Sequence, residues 1–358
     1  MMKKNIIALA VASAIAAPVA MADAPTVYGQ INQAFQVSKE VKNQGTKSKK
    51  DSGMFLKSYA SRLGVKGSED LGNGLKAVYG IEFGVGMVDG STISNRNQFA
   101  GIAGGFGTVI IGRHDTPFKM AQGYDAFNDK EFDNNWSKLG VTKNSGELRT
   151  NNALAYVSPS FSGVKVIAAF VPKETGGDTS KESSITDVIS AAVTYGSKKK
   201  GLYLSGAMNS FSKAFNGSST STGEAATEMR LVAQYAVAGL TANVTYSDFS
   251  GKAIKDTSQE GSEIAINAAY KMGAFTPRLK YSMVDRKAKN FNGTEKDSAG
   301  NVIAASTAMK DGTGMGVGVD YALAKSTKVY ADYMSLSNIQ GLKKTDTSVV
   351  NVGFQVKF

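Results

Sequence analysis

The chain has no cysteine and a single histidine, His114, in 358 residues. Without cysteine there is no thiol nucleophile, no disulfide framework and no thiolate site for zinc or an iron–sulfur cluster. One histidine excludes any site that needs two, and a Ser–His–Asp arrangement would have to be built on that residue alone. Proline is scarce, at 6, whereas 39 glycines are spread along the chain with 14 tyrosines and 17 phenylalanines. That mixture suits a large all-β protein with many tight turns and aromatic strand residues. Nothing in the sequence calls for a metal or an organic cofactor.

The first 22 residues read as a separate segment. Met1–Lys4 is positively charged, Ile6–Ala17 is apolar, and Ala20-Met21-Ala22 is an A-x-A cleavage signal. Together they predict a secretory signal peptide over 1–22, cut before Asp23, with a retained amphipathic leader as the alternative. The apolar stretch is shorter than the roughly 20 residues of a membrane-spanning helix. No later run is apolar enough to span as a helix, so the exported part, 23–358, is either soluble or a β-barrel.

Alternation decides between these. From Val350 to Phe358 the even positions are Val, Val, Phe, Val and Phe, and the odd positions Asn, Gly, Gln and Lys. That is a strand with one apolar and one polar face, running to the last residue. Similar alternation ends in Tyr195, Tyr235, Tyr270 and Tyr321, and Leu154 and Tyr156 stand opposite Arg149, Asn151 and Ala153. Each of the five tyrosines, Tyr156 included, closes an apolar face just before a short turn. A ring at one fixed height on an apolar face is what a membrane–water boundary selects, since the ring sits in the apolar margin while its hydroxyl reaches water.

Seven short links fall at 69–74, 104–107, 158–163, 196–201, 236–239, 272–274 and 322–326. Between them lie eight longer polar connections, including 38–53, 115–147, 212–226 and 286–312. With both termini on the short-turn side, this predicts sixteen antiparallel strands in a transmembrane barrel, with short periplasmic turns and long extracellular loops.

The apolar faces then point at lipid and the polar faces line a lumen too wide for side chains to fill, a water-filled channel. The third loop, 115–147, carries Asp115, Asp125, Asp129, Glu131 and Asp133, with Tyr124, Phe127, Phe132 and Trp136. A loop that met only water would have little use for four aromatics so close together, so it is expected to fold inward and narrow the pore. Strand parity places Arg62, Lys66, Arg96 and Arg149 on the polar faces, with Gln98 beside Arg96 and with Phe99 outward. A basic wall opposite an acidic loop would set a transverse field that orders water and ranks ions by sign and size. Lys76, Lys165, Arg230, Arg278 and Lys280 also read inward, against Glu82 and Asp332. The excess is positive and predicts a mild anion preference.

Particular residue runs carry a family resemblance. Ser61-Arg62-Leu63-Gly64-Val65-Lys66-Gly67-Ser68-Glu69-Asp70-Leu71-Gly72-Asn73-Gly74 resembles the second hairpin of Gram-negative general porins. Asn95-Arg96-Asn97-Gln98-Phe99-Ala100-Gly101, Arg149-Thr150-Asn151-Asn152-Ala153-Leu154-Ala155-Tyr156, Val27-Tyr28-Gly29 and the terminal Phe358 are similar too. The likeness covers the mature chain and is strongest to neisserial-type trimeric porins. It implies a homotrimer in the cell outer membrane, an inward-folded third loop and passive diffusion of small hydrophilic solutes and ions. It implies that Phe358 is read by the outer-membrane assembly machinery. It also places Arg62, Arg96 and Arg149 in the family's basic cluster. Ile110 departs from the pattern, standing where relatives often carry a basic residue.

Two other classes compete, a barrel hydrolase of the outer membrane and a structural or adhesin barrel. A hydrolase would need a nucleophile–base pair, but His114 and Asp115 are adjacent on an extended segment and point apart. Ser197-x-x-Lys200 and Ser210-x-x-Lys213 lack the companion motifs of S-x-x-K enzymes. Gly312-x-Gly314-x-Gly316-x-Gly318 has the period of a strand rather than of a phosphate loop. The lysine-rich stretch 39–50, with no interleaved aromatics, suits lipopolysaccharide phosphates or water rather than nucleic acid.

Overall fold

Alternating residues give each strand two unlike faces, and a ladder closed on itself leaves no edge N–H or C=O unpaired. The computed structural model describes residues 23–44, 47–88, 93–134, 147–172, 184–212, 226–250, 261–287, 290–291, 295–296, 302–304, 307–308, 311–338 and 346–358. The expected signal peptide and Trp136 lie outside them. The barrel strands, apart from two short ladders within the long connection 286–312, are β1 (Asp23–Gln44), β2 (Lys47–Ser58, resumed after a break as Arg62–Gly72), β3 (Leu75–Gly84), β4 (Ser94–Gly104), β5 (Gly107–Asp115), β6 (Arg149–Val157), β7 (Val164–Val171) and β8 (Val188–Gly196). They continue as β9 (Gly201–Phe211), β10 (Ala226–Val237), β11 (Leu240–Ser250), β12 (Gly261–Tyr270), β13 (Phe275–Arg286), β14 (Gly312–Ala324), β15 (Thr327–Ser337) and β16 (Asp346–Lys357).

Every strand pairs antiparallel with its neighbours in the chain, and β16 pairs back onto β1 from Gln30↔Lys357 to Val41↔Asp346. The result is a closed sixteen-stranded antiparallel barrel with the expected seven short turns at one rim. One long connection is corrected. Residues 38–44 and 47–53 are not a loose loop, because β1 and β2 stay in register from Lys39↔Ser52 to Gln44↔Lys47. Backbone pairing satisfies N–H and C=O groups there irrespective of the charge of the side chains.

Burial is inverted relative to a soluble protein. Asn267, Lys280 and Asn351 are fully buried, while Phe35, Leu231 and Val352 stand 57–63 % exposed. Polar side chains therefore face the enclosed space and apolar ones the outside, the arrangement a barrel in lipid requires. Tyr195, Tyr235, Tyr270 and Tyr321 are all exposed on the outer face near the short-turn rim. Tyr156 lies half-buried beside them and donates to the Phe106 carbonyl at 2.6 Å.

The closure seam depends on one glycine. Gly29 N–H donates to the Phe358 carbonyl at 2.9 Å, and Phe358 N–H donates to the Gly29 carbonyl at 3.1 Å. A Cβ on Gly29 would lie 2.5 Å from the Phe358 ring and 2.7 Å from the Arg62 carbonyl oxygen. The backbone oxygen cannot move without disturbing the ladder, so Gly29→Val is expected to destabilise the barrel by about 1–3 kcal/mol. A lowered urea midpoint of the detergent-folded protein would register it; an unchanged midpoint would mean that the seam absorbs the extra atoms.

Two bulges alter the faces expected from strict alternation. Register between β3 and β4 shifts around Arg96 and Asn97. Gln98 consequently turns outward opposite Ile81, and Phe99, expected outside, packs inside against the buried group of Ile110, Ala155 and Ala169. In β6 the left-handed Asn152 (φ 56°) leaves Asn151 exposed, where it accepts from Arg113 Nη1 at 2.6 Å. Each bulge sets two residues of one strand against one of its partner, so strict alternation does not carry across it.

Candidate functional site

The third loop, described over 116–134 and at 147–148, lies against the inner wall along most of 116–134. It leaves β5 through a one-turn helix, α1 (Pro117–Met120), whose N-cap Thr116 accepts from Lys119 N–H at 3.4 Å. Phe118 N–H donates to Ser190 Oγ at 3.1 Å, and its buried ring packs with Ile167, Ala192 and Ala207 of β7–β9. The Ala121 carbonyl accepts from Tyr203 at 2.9 Å and from Ser205 at 2.7 Å. Tyr124 N–H reaches Gln234 at 2.7 Å, and Ala126 N–H reaches Asn267 at 3.1 Å. The loop thus supplies backbone groups to polar side chains that successive strands present inward.

Its second half is anchored by a buried ion pair and an apolar patch. Lys280 Nζ contacts both Asp125 oxygens at 3.0 Å and donates to the Phe132 carbonyl at 2.6 Å. Phe127 and Phe132 are fully buried among Phe249, Val284, Met334, Leu336 and Val349. Burying each ring contributes on the order of 1.5–3 kcal/mol. The loop's far end meets β2 and β15. Lys130 pairs with Asp332 and lies 3.6 Å from the Tyr330 ring centroid. Burial, reinforced by Arg278, pushes the Lys130 ammonium down to about 8, with Asp332 opposing. Tyr59, thrown inward by the β2 break at Ala60 (φ 48°), donates to Glu131 at 2.9 Å.

The loop carboxylates are therefore mostly engaged within the loop and its anchors. Asp125 also accepts from Phe127 N–H at 3.0 Å and Asn134 N–H at 2.9 Å. Asp133 accepts from Asp129 N–H at 2.7 Å and is buried. Asp129 is half-buried, and Glu131 additionally lies 3.9 Å from Lys57. Asp115 stands on the wall rather than on the loop, at the end of β5, 3.0 Å from Arg149 and 3.4 Å from Lys119.

The basic residues cluster on β2, β4 and β6. Arg62 lies 3.5 Å from Glu82, and Arg96 pairs with the other oxygen of the same carboxylate. Arg149 Nε donates to Asn97 Oδ1 at 2.7 Å, and Asn97 Nδ2 donates to Asp115 at 3.2 Å. The three guanidinium side chains keep between 14 and 26 % of their surface open. Two arginines share one carboxylate, and Arg149 and Lys119 share another, so this wall carries surplus positive charge. Lys66 has the inward parity of Arg62 but sits four residues along β2, about 13 Å away at strand rise. It lies over Tyr28 instead, 5.2 Å from the ring centroid.

Comparison with known proteins agrees with this geometry. A family described as Gram-negative porin matches residues 8–340. The chain belongs to that family. Similar curated proteins include the major outer membrane protein P.IB of Neisseria meningitidis serogroup B and that of Neisseria lactamica, each 28 % identical with full coverage of both chains. Among solved structures, an anion-selective porin from Comamonas acidovorans superposes with a TM-score of 0.67 at 19 % identity, covering 94 % of this chain and 99 % of that one. Salmonella typhi OmpF in complex with daunomycin superposes at 0.64 and 14 % identity, covering 94 % and 100 %.

As a Gram-negative porin the protein is an outer-membrane diffusion channel and not an enzyme. His114 has an ordinary packing role, edge-on to Phe99 with ring centroids 5.1 Å apart, its Nδ1 2.9 Å from the Asp115 carbonyl. Sequence parity places seven further charges inward; Glu82, Arg230, Arg278, Lys280 and Asp332 are buried there, whereas Lys76 and Lys165, near the short-turn ends of β3 and β7, are exposed. The loop's anchorage went unread. Its signal was present: Phe249, Val284, Met334, Leu336 and Val349 are apolar residues at inward positions, which a water-lined wall alone would not select.

Proposed function

We propose that the porin's water path runs between the third loop and the wall of β2–β6, and that this gap selects solutes by size and mildly favours anions. The observation carrying the reading is asymmetric anchorage. The loop backbone is bonded to the inner faces of β8–β13, whereas Arg62, Arg96 and Arg149 on β2, β4 and β6 keep solvent-accessible surface. With most of the loop acids engaged in anchoring, the transverse field is weaker than a basic wall opposite free carboxylates would give. The surplus guanidinium charge supports net anion preference, because fixed charge in a narrow aqueous gap raises the local concentration of its counter-ions. The solutes are small hydrophilic molecules and ions.

The same reading includes a homotrimer, an outer face in contact with lipid and lipopolysaccharide, a tyrosine girdle at the periplasmic boundary, recognition of Phe358 by the assembly machinery, and removal of residues 1–22 on export. Purified protein in a planar bilayer is expected to give stepwise ohmic conductance, with a reversal potential in a salt gradient on the anion side. Absence of steps would overturn the channel path, and a cation-side potential would overturn the preference.

A further inference from the structure

The period-two run Gly312, Gly314, Gly316 and Gly318 leaves the inward face of β14 without side chains as far as Gly318, alternating with outward Thr313, Met315, Val317 and Val319. None of the four has a positive φ, so backbone conformation does not require glycine. Glycine inside a strand forfeits packing and costs conformational entropy, and often marks a close approach by another group. Here two such groups occupy the bare strip. Gly316 lies in register between Lys280 of β13 and Met334 of β15. A Cβ on it would stand 2.5 Å from the Phe127 ring of the third loop, with two further ring atoms at 2.8 and 3.0 Å. Gly318 lies between Arg278 and Asp332, and the guanidinium reaches across it to that carboxylate. A Cβ there would stand 2.4 Å from Asp332 Oδ1. The same Arg278 holds the Ala126 carbonyl and lies 5.1 Å from the Phe127 ring.

We propose that this glycine strip is the seat that fixes how far the third loop stands off the wall, with Gly316 as the positioning residue for Phe127, and that it thereby sets the width of the water path. The proposal rests on the channel reading above. Phe127 is fully buried between the strip and its apolar neighbours, so any side chain at 316 displaces the ring towards the lumen. Close-packed interiors pass on such displacements rather than absorbing them.

The test uses Gly316→Ala and Gly316→Leu in the full-length, detergent-folded protein, scored where circular dichroism shows an intact barrel; the alanine variant, one methyl larger, keeps the test available should leucine fail to fold. Single-channel conductance is expected to fall stepwise from glycine to alanine to leucine, and Phe127→Ala added to either variant is expected to restore it. A second readout does not depend on conduction. Ala126 is 5 % exposed, and Ala126→Cys in this cysteine-free chain should resist a small cationic methanethiosulfonate, then react once Gly316 is replaced. Parent conductance and parent protection in the variants would overturn the seat. So would a fall in conductance that Phe127→Ala does not reverse, since the new side chain would then be blocking the path itself. A parent that never conducts, yet shows the change in thiol protection, would overturn the channel reading and leave the loop seat standing.

Discussion

Lys280→Met is expected to release the middle of the third loop from the wall. The ammonium is fully buried, holds both oxygens of Asp125 and also binds the Phe132 carbonyl, so it ties together the two sides of the turn 125–132. Methionine preserves much of the volume but leaves Asp125, among the described residues, with only the Phe127 and Asn134 N–H groups. Removing one partner of a buried pair destabilises by about 3–5 kcal/mol, because the remaining charge is desolvated without compensation. The free energy of seating the loop should fall by that order, giving noisier conductance and a reactive cysteine at position 126. Asp125→Asn in the same chain should recover most of the loss, since no lone charge is then buried. Full protection of position 126 in the single variant would show that the apolar contacts of Phe127 and Phe132 suffice without the ion pair.

Arg62→Ala with Arg96→Ala is expected to move ion selectivity towards cations. The pair shares Glu82, so their removal converts a site with one excess positive charge into one with a bare carboxylate. At aqueous dielectric, one charge acting over 4 Å changes an ion's energy by about 1 kcal/mol, or roughly fivefold in relative permeability. Two charges could therefore carry the reversal potential across zero at low salt, and raising the ionic strength should shrink the shift by screening. The measurement is the zero-current potential in a salt gradient, in parent and variant. An unaltered potential would mean that these arginines lie off the ion path.

Alternation in β16 and the strands ending in Tyr195, Tyr235, Tyr270 and Tyr321 was legible because a residue's neighbours two positions away share its face, and six of the seven short turns were legible because glycine marks them. Those local rules carried the strand count and the closed architecture. The same rules failed at Phe99, Gln98 and Asn151, because a bulge is a one-residue insertion that alternation does not encode. They failed again at Asp115, which continues a strand rather than opening a loop, and at Lys66, whose parity is inward but whose height along the strand separates it from Arg62.

What the sequence determined by itself is the two-faced ribbon and its number of copies, since these follow from contacts between residues close in the chain. Where the third loop lies, and so which carboxylates remain free, was decided only by tertiary structure. Asp125 meets Lys280 across 155 positions and Lys130 meets Asp332 across 202. Such pairs exist only once the ring has closed and brought distant strands to face the same enclosed space.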